Sequence, residues 1–507
     1  MLKIKINRSL EKPLYAQIRD KIINSIKDGV IKKDERLPTV VGLAKDIGVT
    51  QATINRAFED LTKDGWIISY VGRGTFVSLP NSSETETNKI DQRQKDEHLK
   101  PEFVLAARRL RMGIAQSLNS LWALSNRPDL IKFHSPTPPH ELIADNVLSM
   151  LFNKAVSKGE YIYHGYGHPQ GLFELRKAIA SQYMKYDINI SPEQIIITSG
   201  AQQAISILAQ FALENKQRVI CETPCYTGVP NAFGASGHWV ETLPREYDGP
   251  KLDKLEKFKD GRPSLLYMCP EIHNPMGTDT SEEKLIHIYK WLKSENSFLI
   301  YDDTFKELRY DKLGCKYSKH INLNNTIIIG SLSKSFMCGL RIGWLISIPK
   351  IINSLLELKS AIDITTPSLM QGMAFSLLTS DYFNSHLEKA KKYYKLRRDT
   401  LIDSLNKYMP KSIKWTTPPG GFHLWCELPE GYSSIALYLL ALERGVIICP
   451  GPRYDIDHRF MNAFNMGYGL LEINKIIEGV ELLGDAVKEL LSTHPADSGM
   501  SGLGDFI

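Results

Sequence analysis

The stretch Ser331-Leu-Ser-Lys334-Ser-Phe-Met-Cys-Gly-Leu-Arg341-Ile-Gly-Trp344 gathers a lysine, three small hydroxyls at 331, 333 and 335, an arginine seven residues on, and glycines at 339 and 343. A lysine amine whose pKa is depressed can attack a carbonyl carbon. Hydroxyl and guanidinium donors suit a dianionic phosphate. The run before it, Thr326-Ile-Ile-Ile-Gly330, reads as a buried strand too short to be a helix. The loop therefore opens at a strand end, a good place for a site.

Other elements must bring partners to that loop. Gln194-Ile-Ile-Ile-Thr-Ser199 reads as a buried strand, and Gly200-Ala201-Gln202-Gln203 opens the helix after it. A glycine turn at a helix N-terminus offers free backbone N–H groups and the positive end of a dipole, which suits a phosphate. Val219-Ile-Cys-Glu-Thr-Pro224 ends a strand just before Tyr226, and Leu265-Leu-Tyr-Met-Cys-Pro270 leads into His273-Asn274-Pro275-Met-Gly277. Ser297-Phe-Leu-Ile-Tyr301 ends in the acidic pair Asp302-Asp303. Strand and helix alternate, so the expected fold class is α/β: a mainly parallel sheet with crossover helices, its site at the carboxyl ends of the strands. Residues 380–490 read as a smaller α+β domain.

The lysine stretch resembles the cofactor-lysine motif of fold-type I pyridoxal phosphate enzymes at every defined position. The resemblance implies that Lys334 forms the Schiff base, and that Ser331, Ser333 and Arg341, with the Gly200, Ala201 and Gln202 turn, hold the phosphate of pyridoxal 5'-phosphate. It implies that Tyr226 stacks on the pyridine and that Asn274 donates to its phenolic oxygen. Asp302 is assigned to the pyridine nitrogen, with Asp303 the second candidate. Tyr166-Gly-His-Pro-Gln-Gly171 is similar to a family phrase whose tyrosine reaches the partner subunit's cofactor phosphate, which implies a homodimer. His168 replaces the usual aspartate there.

Residues 1–80 carry 14 Lys/Arg against 9 Asp/Glu, which accounts for the whole chain's net charge of +5. A basic excess at one end suggests a polyanion for that end. There the pattern is a helix from Leu14 to Gly29, a second from Val40 to Ile47, a third capped by Thr50, then strands at 66–70 and 74–77. That is a winged helix-turn-helix. The phrases Pro13-Leu-Tyr-Ala-Gln-Ile, Arg36-Leu-Pro, Gly48-Val-Thr and Gly72-Arg-Gly-Thr-Phe-Val resemble the GntR family of bacterial regulators. The resemblance implies double-stranded DNA as partner, contacted by Thr50, Gln51, Thr53, Asn55 and Arg56 of the third helix and by Arg73 of the wing. Val41 and Gln51 stand where that family usually has arginines, so fewer phosphate contacts and a shallower salt dependence are expected.

Residues 81–100 are polar and charged and read as a flexible linker, while 101–130 look helical and 496–507 read as a mobile tail. The expected domains are thus 1–80, the linker, an aminotransferase-like domain over 101–495, and the tail. No run approaches the ~20 apolar residues of a membrane span. Seven scattered cysteines suit a reducing compartment, Cys221 and Cys225 have no second pair at metal-ligand spacing, and the expected location is the cytoplasm.

The plan as a whole resembles the MocR-type regulators, in which an aminotransferase-like half senses ligand and dimerises while the winged helix binds DNA. Two departures favour a sensor over a catalyst. Phe305 stands where relatives usually have a tyrosine that tunes the Schiff base. In Phe460-Met461-Asn462-Ala463-Phe464, Met461 falls where the family's carboxylate-clamping arginine belongs, with Arg459 two residues away. The effector is then pyridoxal phosphate itself or an amine without an α-carboxylate. A working aminotransferase with a DNA-binding appendage is the alternative, and a cofactor-free dimerisation scaffold is a third.

Overall fold

The computed structural model describes residues 13–27, 31, 35, 37–63, 66–70, 74–77, 129–134, 137–157, 165–311, 320–457 and 459–493. The linker, the tail, Arg73 and nearly all of the stretch 101–130 lie outside them. The chain forms two compact units, residues 1–98 and 99–507.

The first unit is three helices and a ribbon: α1 (Leu14–Lys27), α2 (Val40–Ile47), α3 (Gln51–Lys63), β1 (Ile67–Tyr70) and β2 (Gly74–Val77). Apolar residues recur at helical spacing, Ile18, Ile22 and Ile26 on α1 and Ile54, Ala57, Phe58 and Leu61 on α3, and these faces bury one another. Thr39 caps α2 by accepting the Gly42 N–H at 3.1 Å. Gly48 ends it at φ +74°, a left-handed cap that glycine adopts without a Cβ penalty. Strands β1 and β2 pair antiparallel, Tyr70 opposite Gly74. This is the winged helix-turn-helix the sequence predicts.

In the second unit, β3 (Ile131–Lys132) is followed by the strands of a large sheet: β4 (Ile195–Thr198), β5 (Arg218–Thr223), β6 (Val240–Glu246), β7 (Gly249–Pro250), β8 (Ser264–Met268), β9 (Phe298–Asp302), β10 (Thr326–Ser331) and β11 (Gly343–Ile346). Their order is β4-β11-β10-β9-β8-β5-β6-β7. The run from β10 through β9, β8 and β5 to β6 is parallel, with β11 antiparallel between β4 and β10. Both faces are covered, so the central strands read as unbroken Ile, Leu and Val runs. Alternate residues feed opposite cores: Ile197, Leu266, Leu299 and Ile328 on one face, Ile196, Leu265, Ile300 and Ile327 on the other.

Gly343 opens β11 opposite both Thr198 of β4 and Ser331 of β10. That register puts the Ser199-Gly200 turn and the Lys334 loop at the same end of the strands.

The helix Asp381–Tyr408 leads to β12 (Lys414–Trp415), β13 (His423–Glu427), β14 (Val446–Ile447), β15 (Cys449–Pro450) and β16 (Ala463–Gly467), then the helix Ile473–Ser492. Strands β12-β13-β16-β15 form the small domain's sheet. β14 pairs with β3 in parallel, and after Ile448 the chain crosses to pair β15 with β16.

Candidate functional site

Ser331 ends β10, and one helical turn, Leu332–Ser335, carries Lys334. The Ser331 hydroxyl accepts the Ser333 N–H at 3.1 Å and lies 3.1 Å from the Ile342 carbonyl and 3.0 Å from the Ser333 hydroxyl. The Cys338 thiol and the His386 imidazole lie 3.1 and 3.0 Å from the carbonyls of Ser333 and Ser335, which fixes the loop from two sides. Burial holds the Lys334 amine below its ordinary pKa; Cys338 and Asp302 oppose that, and the Arg341 charge adds to it. A lysine so depressed spends more of its time as the nucleophilic free amine.

Arg341 sits in left-handed backbone at φ 52°, and its Nη2 donates to the Ser199 carbonyl at 2.8 Å. Gly200, at φ +86°, precedes the helix Ala201–Glu214. A Cβ on Gly200 would stand 2.7 Å from Arg341 Nη2, and one on Gly343 2.7 Å from the Gly200 carbonyl carbon and 2.9 Å from the Ala201 nitrogen. Two glycines thus let an arginine, a helix N-terminus and the hydroxyls of Ser331 and Ser333 converge. Such a cup of donors favours an anion.

Gln202 braces the next wall. Its amide donates to the Gly228 carbonyl at 3.1 Å and accepts from the Tyr226 hydroxyl at 3.0 Å. Burial and then the Asp302 charge raise the Tyr226 pKa, against the pull of Arg341 and Arg453.

Asp302 is buried at the end of β9. Tyr267 donates to Oδ2 at 2.6 Å, and Thr304 donates both its backbone N–H, at 3.0 Å, and its hydroxyl to Oδ1. Burial raises its pKa while these donors oppose the rise. Asp303 has other work: Tyr183 donates to it at 2.5 Å and Lys306 at 2.8 Å, and its pKa is pushed up to about 6 by burial.

Asn274 lies on the turn His273-Asn274-Pro275, whose Asn274–Pro275 bond is cis. The support of this turn is not legible in the sequence. His273 lies 3.4 Å from Glu222, which pairs with Arg245 at 2.8 Å and accepts the Cys269 N–H at 2.6 Å; all three charged or titratable side chains are fully buried. His423 Nε2 is 3.1 Å from the His273 carbonyl. Burial lowers both histidines to about 4, so they stay neutral. Phe305 is buried edge-to-face on His423 and Phe422, ring centroids 5.1 and 5.5 Å away. It packs, but has no hydroxyl to donate.

Met461 stands two residues ahead of β16, and its carbonyl accepts the Ser434 N–H at 2.7 Å. The residue of β16 that meets the Asn274 turn is Asn465, whose amide donates to the Pro275 carbonyl at 2.8 Å and the Leu424 carbonyl at 3.0 Å. Arg459 is held by both oxygens of Asp455, at 2.8 Å, and by Thr223 at 2.7 Å.

Tyr166 is 82% exposed on the single chain. In the first unit, Gln51, Asn55 and Arg56 of α3 are exposed and Thr53 is half-buried. Thr50 is spent on the helix start, accepting the Thr53 N–H at 3.3 Å and lying 2.9 Å from its hydroxyl. Arg56 stacks 4.3 Å over the Tyr15 ring. Among the described residues no helix is long and apolar enough to cross a membrane.

Residues 153–460 match the model of class I and II aminotransferases, and residues 14–77 match that of bacterial regulatory proteins of the gntR family. These matches define an aminotransferase-like unit and, ahead of it in the chain, a gntR-type winged helix. The chain is 29% identical over 483 residues to the "Uncharacterized HTH-type transcriptional regulator YdfD" of Bacillus subtilis, covering 95% of this chain and 97% of that one. It is 23% identical to the "Probable rhizopine catabolism regulatory protein MocR" of Rhizobium meliloti, over 96% of each. The solved alpha-aminoadipate aminotransferase LysN of Thermus thermophilus superposes with a TM-score of 0.68 at 27% identity, over 74% of this chain and 95% of that one. The chain belongs to the class I and II aminotransferase family and, with its gntR-family unit, to the MocR-type subfamily of GntR regulators.

Proposed function

We propose that this regulator binds pyridoxal 5'-phosphate at Lys334 and reports the state of that site to DNA through α3 and the wing. The observation that carries the reading is the gathering of a depressed Lys334 amine, the Gly200–Arg341 cup and the buried Asp302 at the carboxyl ends of the strands. This donor set fits the cofactor. Arg341, Ser331, Ser333 and the N–H groups of Ala201 and Gln202 would hold the phosphate, Tyr226 the ring face, Asp302 the ring nitrogen and Asn274 the phenolic oxygen. When bound, the cofactor supplies an electrophilic carbon and an electron sink for an incoming amine.

Two of the chain's own residues limit the chemistry available at the site. Phe305 donates no hydrogen bond where proton transfer would need a tuned donor, and Asn465 brings an amide rather than a guanidinium to the Asn274 turn. Recognition without turnover is the result. The exposed Tyr166 supports a homodimer in which it completes the partner's phosphate cup, and the cytoplasm is the setting for a DNA-binding protein of this kind.

A second reading, a working aminotransferase, draws on the intact Lys334 and Asp302 and on relatives such as the "2-aminoadipate transaminase" of Thermus thermophilus, 28% identical over 383 residues. Visible absorbance of the cofactor-loaded chain with a panel of amino acids decides between them. The regulator reading expects the absorbance to persist with every amino acid; steady conversion to the amine form of the cofactor, with release of a keto acid, would establish the enzyme.

A further inference from the structure

The turn that carries Lys334 is too short to hold itself. It is a helix of 4 residues, Leu332–Ser335, and a single turn fixes several dihedrals for few internal hydrogen bonds. The carbonyls at its C-terminal end need partners from elsewhere. That of Leu332 accepts the N–H groups of Phe336 at 2.9 Å and Met337 at 3.2 Å. The carbonyls on either side of Lys334 are met by side chains instead. The Cys338 thiol stands 3.1 Å from that of Ser333, and His386 Nε2, from the helix Asp381–Tyr408, stands 3.0 Å from that of Ser335.

His386 is buried between the rings of Phe336 and Tyr382, centroids 5.3 and 5.8 Å away. Burial lowers its pKa against the opposing pull of the Ser335 and Leu142 carbonyls. The ring is therefore neutral, and with a carbonyl facing it Nε2 carries the one ring proton and donates it. The helix behind the imidazole is itself anchored: the Tyr382 hydroxyl accepts the Ala144 N–H at 3.4 Å, and the Tyr393 hydroxyl donates to Glu141 at 3.3 Å. The phosphate turn has other supports. Ser199 and Gly200 stand between β4 and the helix Ala201–Glu214, where Gln203 accepts the Ser199 N–H at 2.6 Å. Lysine turn and phosphate turn thus hang on separate elements, and one can be loosened without the other.

We infer that His386 is a positioning residue for Lys334: by donating to the Ser335 carbonyl it holds the lysine turn in the form that attacks the cofactor's carbonyl carbon, while the grip on the phosphate is left to other residues. The inference rests on the cofactor-binding reading above and divides the affinity of that site into a covalent and a non-covalent part. In the covalent step Nζ bonds to the carbonyl carbon, and the carbonyl oxygen leaves as water with the two amine protons. The ordered turn is the form that presents Nζ to that carbon, so its population scales the apparent constant of the step.

The test compares two ligands on the full chain: pyridoxal 5'-phosphate, and pyridoxine 5'-phosphate, whose alcohol cannot take the covalent step. His386→Met removes the donor. It should weaken binding of the aldehyde about threefold to tenfold, the worth of one hydrogen bond, and leave binding of the alcohol within about twofold. His386→Gln, whose amide reaches the same carbonyl, should bind both ligands as the wild type does. In the chain without cofactor, hydrogen exchange at the Phe336 and Met337 amides should quicken in His386→Met and keep its wild-type rate in His386→Gln. Should His386→Met fail to fold, His386→Asn, too short to reach the carbonyl, carries the same expectations. Equal losses for the two ligands, or none for either, overturn the inference, and so does exchange that ignores the missing donor. A wild-type chain that binds neither ligand, or both alike without visible absorbance, is a different failure: it removes the cofactor-binding reading, and the exchange comparison alone then judges the hold of His386 on the turn.

Discussion

The guanidinium of Arg341 occupies the space that a side chain on Gly200 would need: a Cβ there would stand 2.7 Å from Nη2 and 3.0 Å from Cζ. Gly200 also has φ +86°, which disfavours any other residue. Gly200→Ala should therefore push Arg341 out of the cup and lower affinity for pyridoxal 5'-phosphate about tenfold or more, the worth of one charge-assisted hydrogen bond. An absorbance titration of cofactor into the variant checks this, and wild-type affinity would show that the arginine is not a phosphate ligand.

Gly343 makes the companion prediction for stability. It pairs with Thr198 and Ser331 at once, and a methyl group there meets the backbone of Gly200 and Ala201 at 2.7 to 2.9 Å. Backbone cannot swing aside as a side-chain tip does. Gly343→Ala should cost about 1–3 kcal/mol, read as a lower urea midpoint for the second unit at unchanged slope.

The buried pair Glu222–Arg245 supports the Asn274 turn through His273. Removing one partner strands a buried charge, a loss of roughly 3–5 kcal/mol. Glu222→Gln should therefore be among the most destabilising single changes in the second unit. The double change Glu222→Gln with Arg245→Met should recover part of the loss, and a double mutant no better than the single would argue against a coupled pair.

Acid should weaken the second unit through its neutral histidines. His273 and His423 are lowered to about 4 in the folded chain against about 6.5 when unfolded. The unfolded state then binds more protons between those values, so stability is complete above about pH 6.5 and is lost as pH falls toward 4. Asp303, pushed up to about 6, and Asp302, also raised by burial, act in the opposite sense, while His134, lowered to about 4, adds to the two histidines. Stability of the unit should thus fall from pH 6.5 to 4.5, and His423→Gln should flatten the slope. A slope unchanged in that variant would show that His423 already carries a proton in the folded state.

On α3, Arg56 is held against the Tyr15 ring and Asn55 is exposed. A guanidinium so fixed suits a phosphate, and a carboxamide suits a base edge. Arg56→Ala should weaken binding to all duplexes alike and reduce the salt slope by about 1, while Asn55→Ala should cost about 1–3 kcal/mol and relax preference at one position. Equal losses across sequences for both variants would contradict that division.

These residues also show how far the chain could be read before its structure. Elements written contiguously were legible: the apolar spacing of Ile54, Ala57, Phe58 and Leu61, the Ile runs of β4 and β10, and the Lys334 loop between β10 and β11. What was hidden depends on distant partners. Nothing near Asn274 announces Glu222 or Arg245, because a buried ion pair is recognised by its geometry and its members are far apart in the chain. Asn465 escaped because the twelve residues from Gly451 to Asn462 follow no period. The change of sheet after Ile448 is likewise invisible in an unbroken apolar run.

The central claim is that the Lys334 site governs DNA binding. Its most direct test is the affinity of the full chain for a duplex selected from a random pool, measured with and without pyridoxal 5'-phosphate, in the wild type and in Lys334→Ala. The account predicts that the cofactor changes the wild-type affinity and leaves that of Lys334→Ala unchanged, with the visible absorbance present only in the former. A wild-type chain that takes up the cofactor at Lys334 yet holds its duplex with the same affinity, with or without an added amine, would contradict it.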